Sequence, residues 1–202
     1  SSFQQGKYND AIPYVEAIIN KAKIENNDSI VAVWSNNLGI LYHGMGNYEK
    51  ALSLLIETKN IKEKIYGKDH PEIANVYNNI GELYSIMGYY EKALQYFIKS
   101  LNIEEKVLGK NHPLYATYLN NLGGLYQEIG EYDKAFPLLN QAIKIRENNN
   151  DTLHSNYISY INNLGLQYNY LGDYEKALPL LIRANQIREK VSGKEHPEYA
   201  NS

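Results

Sequence analysis

The stretch LNNLGGLYQEIGEYDKAF, from Leu119 to Phe136, decides how this chain folds. Its apolar positions recur three and four residues apart, which is typical of a helix with one buried side. Gly130 interrupts that pattern, and a glycine there suits the left-handed backbone conformation that ends a helix. A second helix is then predicted from Tyr132 onward. The stretch therefore predicts two helices joined by a short turn.

The same pattern returns along the chain at a fixed interval of 42 residues. The first helix of each unit, helix A, carries a glycine and a tyrosine that recur as Gly39, Gly81, Gly123 and Gly165 and as Tyr42, Tyr84, Tyr126 and Tyr168. The turn and the start of the second helix, helix B, recur as GNYEKAL, GYYEKAL, GEYDKAF and GDYEKAL from Gly46, Gly88, Gly130 and Gly172. The buried stripe of helix B is predicted to run through Tyr90, Ala93, Phe97, Ser100 and Leu101. Self-similarity at a fixed period is the signature of a solenoid, so we predict an all-α fold of stacked helix pairs.

The linkers between units set the predicted boundaries of this single solenoid domain. Helix B closes at YGKDHPE, LGKNHPL and SGKEHPE, where Gly67, Gly109 and Gly193 suit the position after a helix and Pro71, Pro113 and Pro197 the first turn of the next. The linker NNNDTLHS keeps His154 in register but has Ser155 instead of proline, and we expect a looser joint there. The predicted units are 1–28, helix B of a truncated preceding repeat; 29–69, 70–111, 112–153 and 154–195, four repeats; and 196–202, the start of a further repeat.

Composition excludes several classes of function. The net charge is −3 and the chain has no basic stripe, so we expect no nucleic-acid partner. The aliphatic runs are far shorter than the roughly 20 residues of a membrane helix, so we expect no membrane partner either. The absence of cysteine excludes disulfides and thiolate metal sites and fits a reducing compartment, from which we predict a cytoplasmic protein. The chain has neither an initiator Met nor a signal-peptide pattern, and we expect it to be a piece of a longer protein.

The sequence predicts no catalytic or metal-binding constellation. Four of the five histidines fall at the turns between units, and units that stack about 10 Å apart cannot share one metal ion through them. We interpret these four as turn or helix-start residues: His70, His112, His154 and His196. No nucleophile, base and orienting group can be assembled with any specificity. We therefore predict a protein that is not an enzyme and uses no cofactor.

A pair of asparagines occupies the middle of every predicted helix A, although asparagine is a poor helix former. At about 100° per residue, the two side chains fall on the two flanks of the side opposite the buried stripe, so we predict that they face away from the core. They would form two ladders along the array. The first ladder is Asn36, Asn78, Asn120 and Asn162, and the second is Asn37, Asn79, Asn121 and Asn163.

The spacing of Gly, Tyr, Gly, Tyr and Ala in each unit resembles the tetratricopeptide repeat, and the 42-residue length with NNLG and HP is similar to the kinesin light chain variety. This resemblance covers nearly the whole chain. It implies a right-handed superhelical solenoid in which the exposed side of helix A lines a concave groove. The groove would hold both ladders together with Asn75, Glu82, Gln127, Asn169 and Tyr170. Both ends would break the solenoid, which predicts self-association through uncapped ends.

The two ladders have two interpretations. An amide offers donors and an acceptor, which can grip an extended peptide backbone regardless of its sequence. Alternatively, one asparagine of each pair bonds a neighbouring repeat and sets the superhelical rise. Because the two residues diverge around the helix, we predict that one ladder is structural and one binds ligand, and the sequence does not distinguish them. The groove positions hold no lysine or arginine, so a neutral or mildly basic segment with some apolar character is the expected ligand.

Three functions are compatible with this pattern. The first is a non-catalytic protein–protein interaction module that holds an extended peptide or a partner helix in the groove. The resemblance also implies a regulatory alternative, in which the array senses a partner and gates a fused effector such as a caspase-like protease or a nucleotide-driven switch. The third is a purely structural assembly scaffold whose groove stays empty.

Overall fold

The structure, a computed structural model, describes residues 2–152 and 155–194, with side chains described over 11–152 and 156–190. These residues form helices and no strand: α1 (Ser2–Ile24), α2 (Asp28–Gly44), α3 (Tyr48–Tyr66), α4 (Pro71–Ile86), α5 (Tyr90–Val107), α6 (Pro113–Glu128), α7 (Tyr132–Asn148), α8 (Ser155–Tyr170) and α9 (Tyr174–Lys194). The all-α prediction is confirmed. The predicted segment 196–202 and the turn residues His154, His196 and Pro197 lie outside the described residues.

The chain divides into two compact units, the N-terminal unit Ser1–Ile103 and the C-terminal unit Glu104–Ser202. In the N-terminal unit, α2 packs against α1 and α3, and α3 also packs against α4. In the C-terminal unit, α6 packs against α7 and α8 against α9, and α8 also contacts both α6 and α7. Each unit thus consists of helix pairs in which a helix A packs against the helix B that follows it.

Every turn from helix A to helix B has the same glycine geometry. The turn glycines have positive φ angles of 76°, 78°, 79° and 75°, at Gly46, Gly88, Gly130 and Gly172. At the first turn, the N–H of Asn47 donates to the carbonyl oxygen of Tyr42 at 2.9 Å. The N–H of Gly46 donates to the carbonyl of His43, also at 2.9 Å. These bonds satisfy carbonyls at the helix end, and glycine adopts the required backbone without a Cβ clash, so the prediction for these glycines is confirmed.

The linkers from helix B to the next helix A begin the new helix with a histidine cap. The Nδ1 atom of His70 accepts a hydrogen bond from the N–H of Glu72 at 3.2 Å, and Nδ1 of His112 accepts one from the N–H of Leu114 at 3.1 Å. Proline follows each histidine at the first helical position, where its missing N–H costs nothing. The interpretation of His70 and His112 as helix-start residues is confirmed.

The linker between α7 and α8 is closed by different contacts. Asn150 has a positive φ of 54°, and the Nδ2 atom of Asn149 donates to the carbonyls of Asn111 and Ile145 at 3.0 and 2.8 Å. Asp151 pairs with the guanidinium of Arg146. These contacts hold the described part of the linker, and the looser joint expected here stays a prediction.

Two expectations about single residues are wrong. Gly193 does not follow its helix but lies within α9, because glycine permits a helix end without forcing one. Tyr90 does not belong to the buried stripe of α5, since it is 38% exposed while Ala93 is fully buried. Tyr90 is the first residue of α5, and a helical side chain leans toward the N-terminus, so its ring extends past the packed part of the helix.

Among the described residues, no helix combines the length and apolarity needed to cross a bilayer.

Candidate functional site

In the C-terminal unit, the asparagine pairs bond to each other across two helices. The Nδ2 atom of Asn163 on α8 donates to the Oδ1 atom of Asn120 on α6 at 3.1 Å. Asn120 is 6% exposed and Asn163 is half-buried, so the bond is partly shielded from water. It joins the first asparagine of one helix A to the second asparagine of the next. In this unit a structural role is therefore shared between the two ladders.

This burial differs from the expectation that both asparagines face away from the core. The expectation is wrong for Asn120 and also for Asn78, which is 7% exposed. Asn120 shows the physical reason. On a helical wheel of α6 alone its flank is exposed, but α8 packs against α6 and covers that flank. A projection of one helix contains no information about the neighbouring repeat.

A second amide network extends the first one within the C-terminal unit. Gln127 donates through Nε2 to the carbonyl of Asn163 at 2.8 Å and to Oε1 of Gln167 at 2.9 Å. Gln167 is fully buried and donates in turn to the carbonyl of Tyr132 at 3.2 Å. The amide donor of Gln127 is thus used in hydrogen bonds within the protein. Gln167 was not among the predicted site residues, although a signal was present: the same position holds leucine in the other repeats, at Leu41, Leu83 and Leu125.

In the N-terminal unit, one of the paired asparagines, Asn79, lines a cavity. A cavity of about 210 Å³ lies between α2 and α4 and is lined by Ile40, His43, Leu55, Asn79, Glu82 and Leu83. Over the part of the chain that the structure describes, the side chains of Asn36, Asn37 and Asn79 form no hydrogen bond. Their donors and acceptors are available to a ligand.

With histidine counted as neutral, the charged side chains on the A helices of this unit, α2 and α4, are all acidic. Helices α2 and α4 contain no lysine or arginine and carry Asp28, Glu72 and Glu82. Two of these acids are paired from α3, because Lys64 Nζ lies 2.8 Å from Asp28 Oδ2 and Lys62 Nζ lies 2.8 Å from Glu72 Oε2. The hydrogen bond from Lys62 lowers the pKa of the Glu72 carboxyl. Glu82 has no such lysine, and its nearest titratable neighbour is His43, whose Nε2 lies 3.9 Å from Glu82 Oε1.

The remaining predicted groove residues occupy a range of environments. Tyr170 is 56% exposed, and its ring stacks on that of Tyr132 with centroids 5.4 Å apart. Across the whole predicted set, Asn78 and Asn120 are buried; Asn36, Asn79, Asn121, Asn162, Asn163, Glu82 and Gln127 are half-buried; and Asn37, Asn75, Asn169 and Tyr170 are exposed.

A larger cavity, of about 320 Å³, lies on the opposite side of α2 and was not predicted. It is lined by Glu16, Ile19, Asn20, Leu38, Tyr42, Lys50, Ser53 and Leu54 of α1, α2 and α3. The hydroxyl of Tyr42 donates to Oε1 of Glu16 at 3.3 Å across it. The repeat pattern gives no sign of this cavity, because the interval between Gly6 and Gly46 is 40 residues and α1 falls outside the period.

Within residues 2–152 and 155–194, no group of three or more His, Cys, Asp or Glu side chains could hold a metal ion.

Replacing Asn120 with alanine is expected to lower the free energy of unfolding by about 1 kcal/mol, because a partly buried hydrogen bond is lost and the donor of Asn163 is left unpaired. The matched control is Asn162→Ala on α8. Asn162 is half-buried and has no side-chain hydrogen bond among the described residues, so the better helix propensity of alanine should leave stability unchanged or raise it by about 0.5 kcal/mol. Urea unfolding followed by far-UV circular dichroism measures both. Equal losses in the two variants would show that the bond between Asn120 and Asn163 does not stabilise the unit.

Comparison with known proteins supports the repeat assignment. Profiles of the tetratricopeptide repeat match residues 29–103, 72–148 and 158–198. No curated protein matches the chain at the level of sequence. Several solved structures match along most of its length. BtubC (BKLC) from P. vanneervenii has a TM-score of 0.80 at 23% identity, with 94% of this chain and 76% of that chain covered.

Two further solved structures share this fold. A Podospora anserina protein with nearly identical kinesin light chain TPR-like repeats has a TM-score of 0.73 at 21% identity, with 93% of this chain and 90% of that chain covered. The apo form of RapI has a TM-score of 0.80 at 21% identity, with coverage of 96% and 68%. At these identities the likeness shows the fold alone, which is the all-α superhelical solenoid that the sequence predicted.

Proposed function

The chain belongs to the tetratricopeptide repeat family, and on that premise we propose that it is a non-catalytic module for protein–protein interaction. Its ligand is an extended peptide segment or a partner helix, held against the side of the A helices that carries the asparagines. The C-terminal unit uses several of its amides internally, through Asn120, Gln127 and Asn163. The N-terminal unit is therefore the part of the array that grips the ligand most directly.

The observation that carries this proposal is the set of available amides on α2 and α4, one of which, Asn79, lines the cavity between these helices. Asn36, Asn37 and Asn79 each offer two donors and an acceptor, which match the alternating N–H and C=O groups of an extended backbone. Each bond contributes about 0.5–1.5 kcal/mol net, so several are needed to hold a segment. Asparagine costs helix stability at all three positions, and ligand binding accounts for its presence where no internal bond does.

The chemistry of the rest of the chain supports this class of partner. The absence of lysine and arginine from the A helices argues against nucleic acid and against an acidic ligand. The absence of cysteine supports a cytoplasmic location. Leu178 and Ile182, one helical turn apart on α9, are 61% and 48% exposed, and this surface supports self-association as a second mode of interaction.

A selection from a random dodecapeptide display library on the purified chain tests the proposal. Peptides selected by the wild-type protein should bind roughly tenfold more weakly to the double variant Asn36→Ala, Asn79→Ala, because two lost hydrogen bonds of about 0.7 kcal/mol each amount to about 1.4 kcal/mol. The matched control is the double variant Asn60→Ala, Asn102→Ala, which removes two exposed asparagines from α3 and α5.

The outcomes distinguish a peptide groove from an assembly scaffold. Weakened binding in the first double variant with unchanged binding in the control supports a peptide groove. Equal weakening in both variants would place the ligand elsewhere. A selection that yields no binding peptide would favour an assembly scaffold with an empty groove. Far-UV circular dichroism of both variants checks that neither substitution has unfolded the chain.

A further inference from the structure

Glu82 differs from Asp28 and Glu72, the other acidic residues of α2 and α4, in having no lysine partner. Its side chain is 47% exposed at the cavity between α2 and α4, and the imidazole of His43 lies 3.9 Å from its Oε1 atom. That separation exceeds a hydrogen bond. Both carboxylate oxygens therefore remain available to a donor that enters the cavity. Asp28 and Glu72 have no such availability, because each is paired with a lysine of α3 at 2.8 Å.

The walls of the cavity are apolar below this carboxylate. Leu55 and Leu83, each 1% exposed, belong to the core and line the cavity from α3 and α4. Ile40 on α2 is 48% exposed and presents a further apolar surface. A volume of about 210 Å³ far exceeds the space that one water molecule needs. An apolar cavity with a carboxylate at its edge complements a side chain that combines a long alkyl stem with a cationic end.

We propose that this cavity is a subsite for one lysine or arginine side chain of the bound segment, with Glu82 as its counter-ion and the Asn79 amide as a further acceptor. The proposal rests on the proposed function, since it assigns the part of the ligand that enters this cavity. The absence of lysine and arginine from α2 and α4 supports it, because no permanent cation of these helices competes for Glu82 and the His43 imidazole lies beyond hydrogen-bond distance.

Other side chains fit this subsite less well. An acidic side chain would place a second negative charge beside Glu82 in a partly desolvated position, which is unfavourable. A purely apolar side chain would fill the cavity but cover the Glu82 carboxylate without providing a hydrogen-bond donor, and an unpaired charge is costly to desolvate. A basic side chain packs its alkyl stem against the apolar walls and pairs its charge with the Glu82 carboxylate. The subsite therefore selects for charge within an otherwise sequence-tolerant groove.

The test compares dodecapeptide selections on the wild-type chain, on Glu82→Gln and on Glu91→Gln. Glutamine keeps the shape of the side chain and removes its charge, and Glu91 is an exposed acid at the start of α5 that serves as the matched control. Peptides from the wild type and from Glu91→Gln should share a lysine or arginine at one position. That preference should disappear with Glu82→Gln.

A second measurement uses one selected peptide and its variant with the basic residue replaced by norleucine. The replacement should weaken binding to the wild-type chain roughly fivefold, which is the size of a partly exposed ion pair, and should have no effect on binding to Glu82→Gln. A selected apolar or acidic residue at that position, or equal effects on both proteins, would overturn the subsite while peptide binding through Asn36 and Asn79 still stands. A selection that yields no peptide on any of the three proteins would overturn the proposed function as well.

Discussion

Replacing Arg146 with alanine should lower the free energy of unfolding by about 3 kcal/mol, because one partner of a largely buried ion pair is removed. Arg146 is 5% exposed on α7. It pairs with Asp151 and donates to Oγ1 of Thr117 at 3.0 Å and to the hydroxyl of Tyr160 at 3.1 Å. Its loss leaves a cavity beside the Tyr160 ring and an acid without its partner at the linker between α7 and α8.

Arg183→Ala is the matched control for this prediction. The Arg183 guanidinium lies 5.4 Å from the centre of the Tyr157 ring, which equals the separation between Arg146 and Tyr160. Arg183 also pairs with a carboxylate, that of Glu147 at 3.1 Å, but its side chain is 46% exposed. An exposed pair contributes about 0–1 kcal/mol, so Arg183→Ala should change stability little.

Urea unfolding followed by far-UV circular dichroism compares the two arginine variants. Repeat arrays need not unfold in one step, so the comparison uses the whole transition curve and not a single midpoint. A small and equal effect of both substitutions would contradict a structural role for the buried guanidinium. A large effect of Arg146→Ala alone would show that burial, and not the ring contact, determines the contribution.

The adjacent glycines Gly123 and Gly124 on α6 should respond to alanine in opposite directions. A Cβ atom at Gly123 would lie 2.8 Å from Cδ2 and 2.9 Å from Cγ of Leu139, which is fully buried on α7 and has little room to move. A Cβ atom at Gly124 would have Nδ2 of Asn163 as its nearest neighbour, at 3.7 Å. The first contact is a steric overlap, and the second is an ordinary van der Waals contact.

Gly123→Ala is therefore expected to cost about 2 kcal/mol, because overpacking exceeds the gain in helix propensity. Gly124→Ala is expected to stabilise the protein by up to about 1 kcal/mol, because the same gain in propensity meets no overlap. Thermal unfolding of the two variants measures the difference, which should be about 3 kcal/mol in total. Stabilisation by both substitutions would show that α6 and α7 can separate without cost, and would contradict the close packing at Gly123.

Most of the secondary structure could be predicted because its causes are local. The turn glycines need only their own left-handed backbone, and the histidine caps at His70 and His112 bond an N–H two residues away. The errors lie where a local rule permits more than one outcome. Gly193 allows a helix to end but does not require it, and Tyr90 occupies a repeat position whose burial depends on where its helix begins.

The asparagine pairs show where prediction from the sequence stopped. The period and the spacing located all eight residues, and their poor helix propensity predicted a role beyond forming the helix. The role of each one could not be predicted, because the bond from Asn163 to Asn120 depends on how closely α8 approaches α6. In the C-terminal unit, Gln127 also donates hydrogen bonds to the carbonyl of Asn163 and to Gln167. In the N-terminal unit the positions equivalent to Gln127 and Gln167 hold His43 and Leu83, which have no side-chain amide.

The all-α repeat, the helix pairs and the chemistry of the surface that carries the asparagines all follow from the sequence alone. These depend on apolar spacing, turn residues and composition, which act over a few neighbouring residues. The tertiary structure decided which polar groups on that surface remain available to a ligand. Availability depends on the distances between side chains 40 or more residues apart in sequence, as between Asn120 and Asn163 or Gln127 and Gln167, and only the packing of one repeat on the next sets those distances.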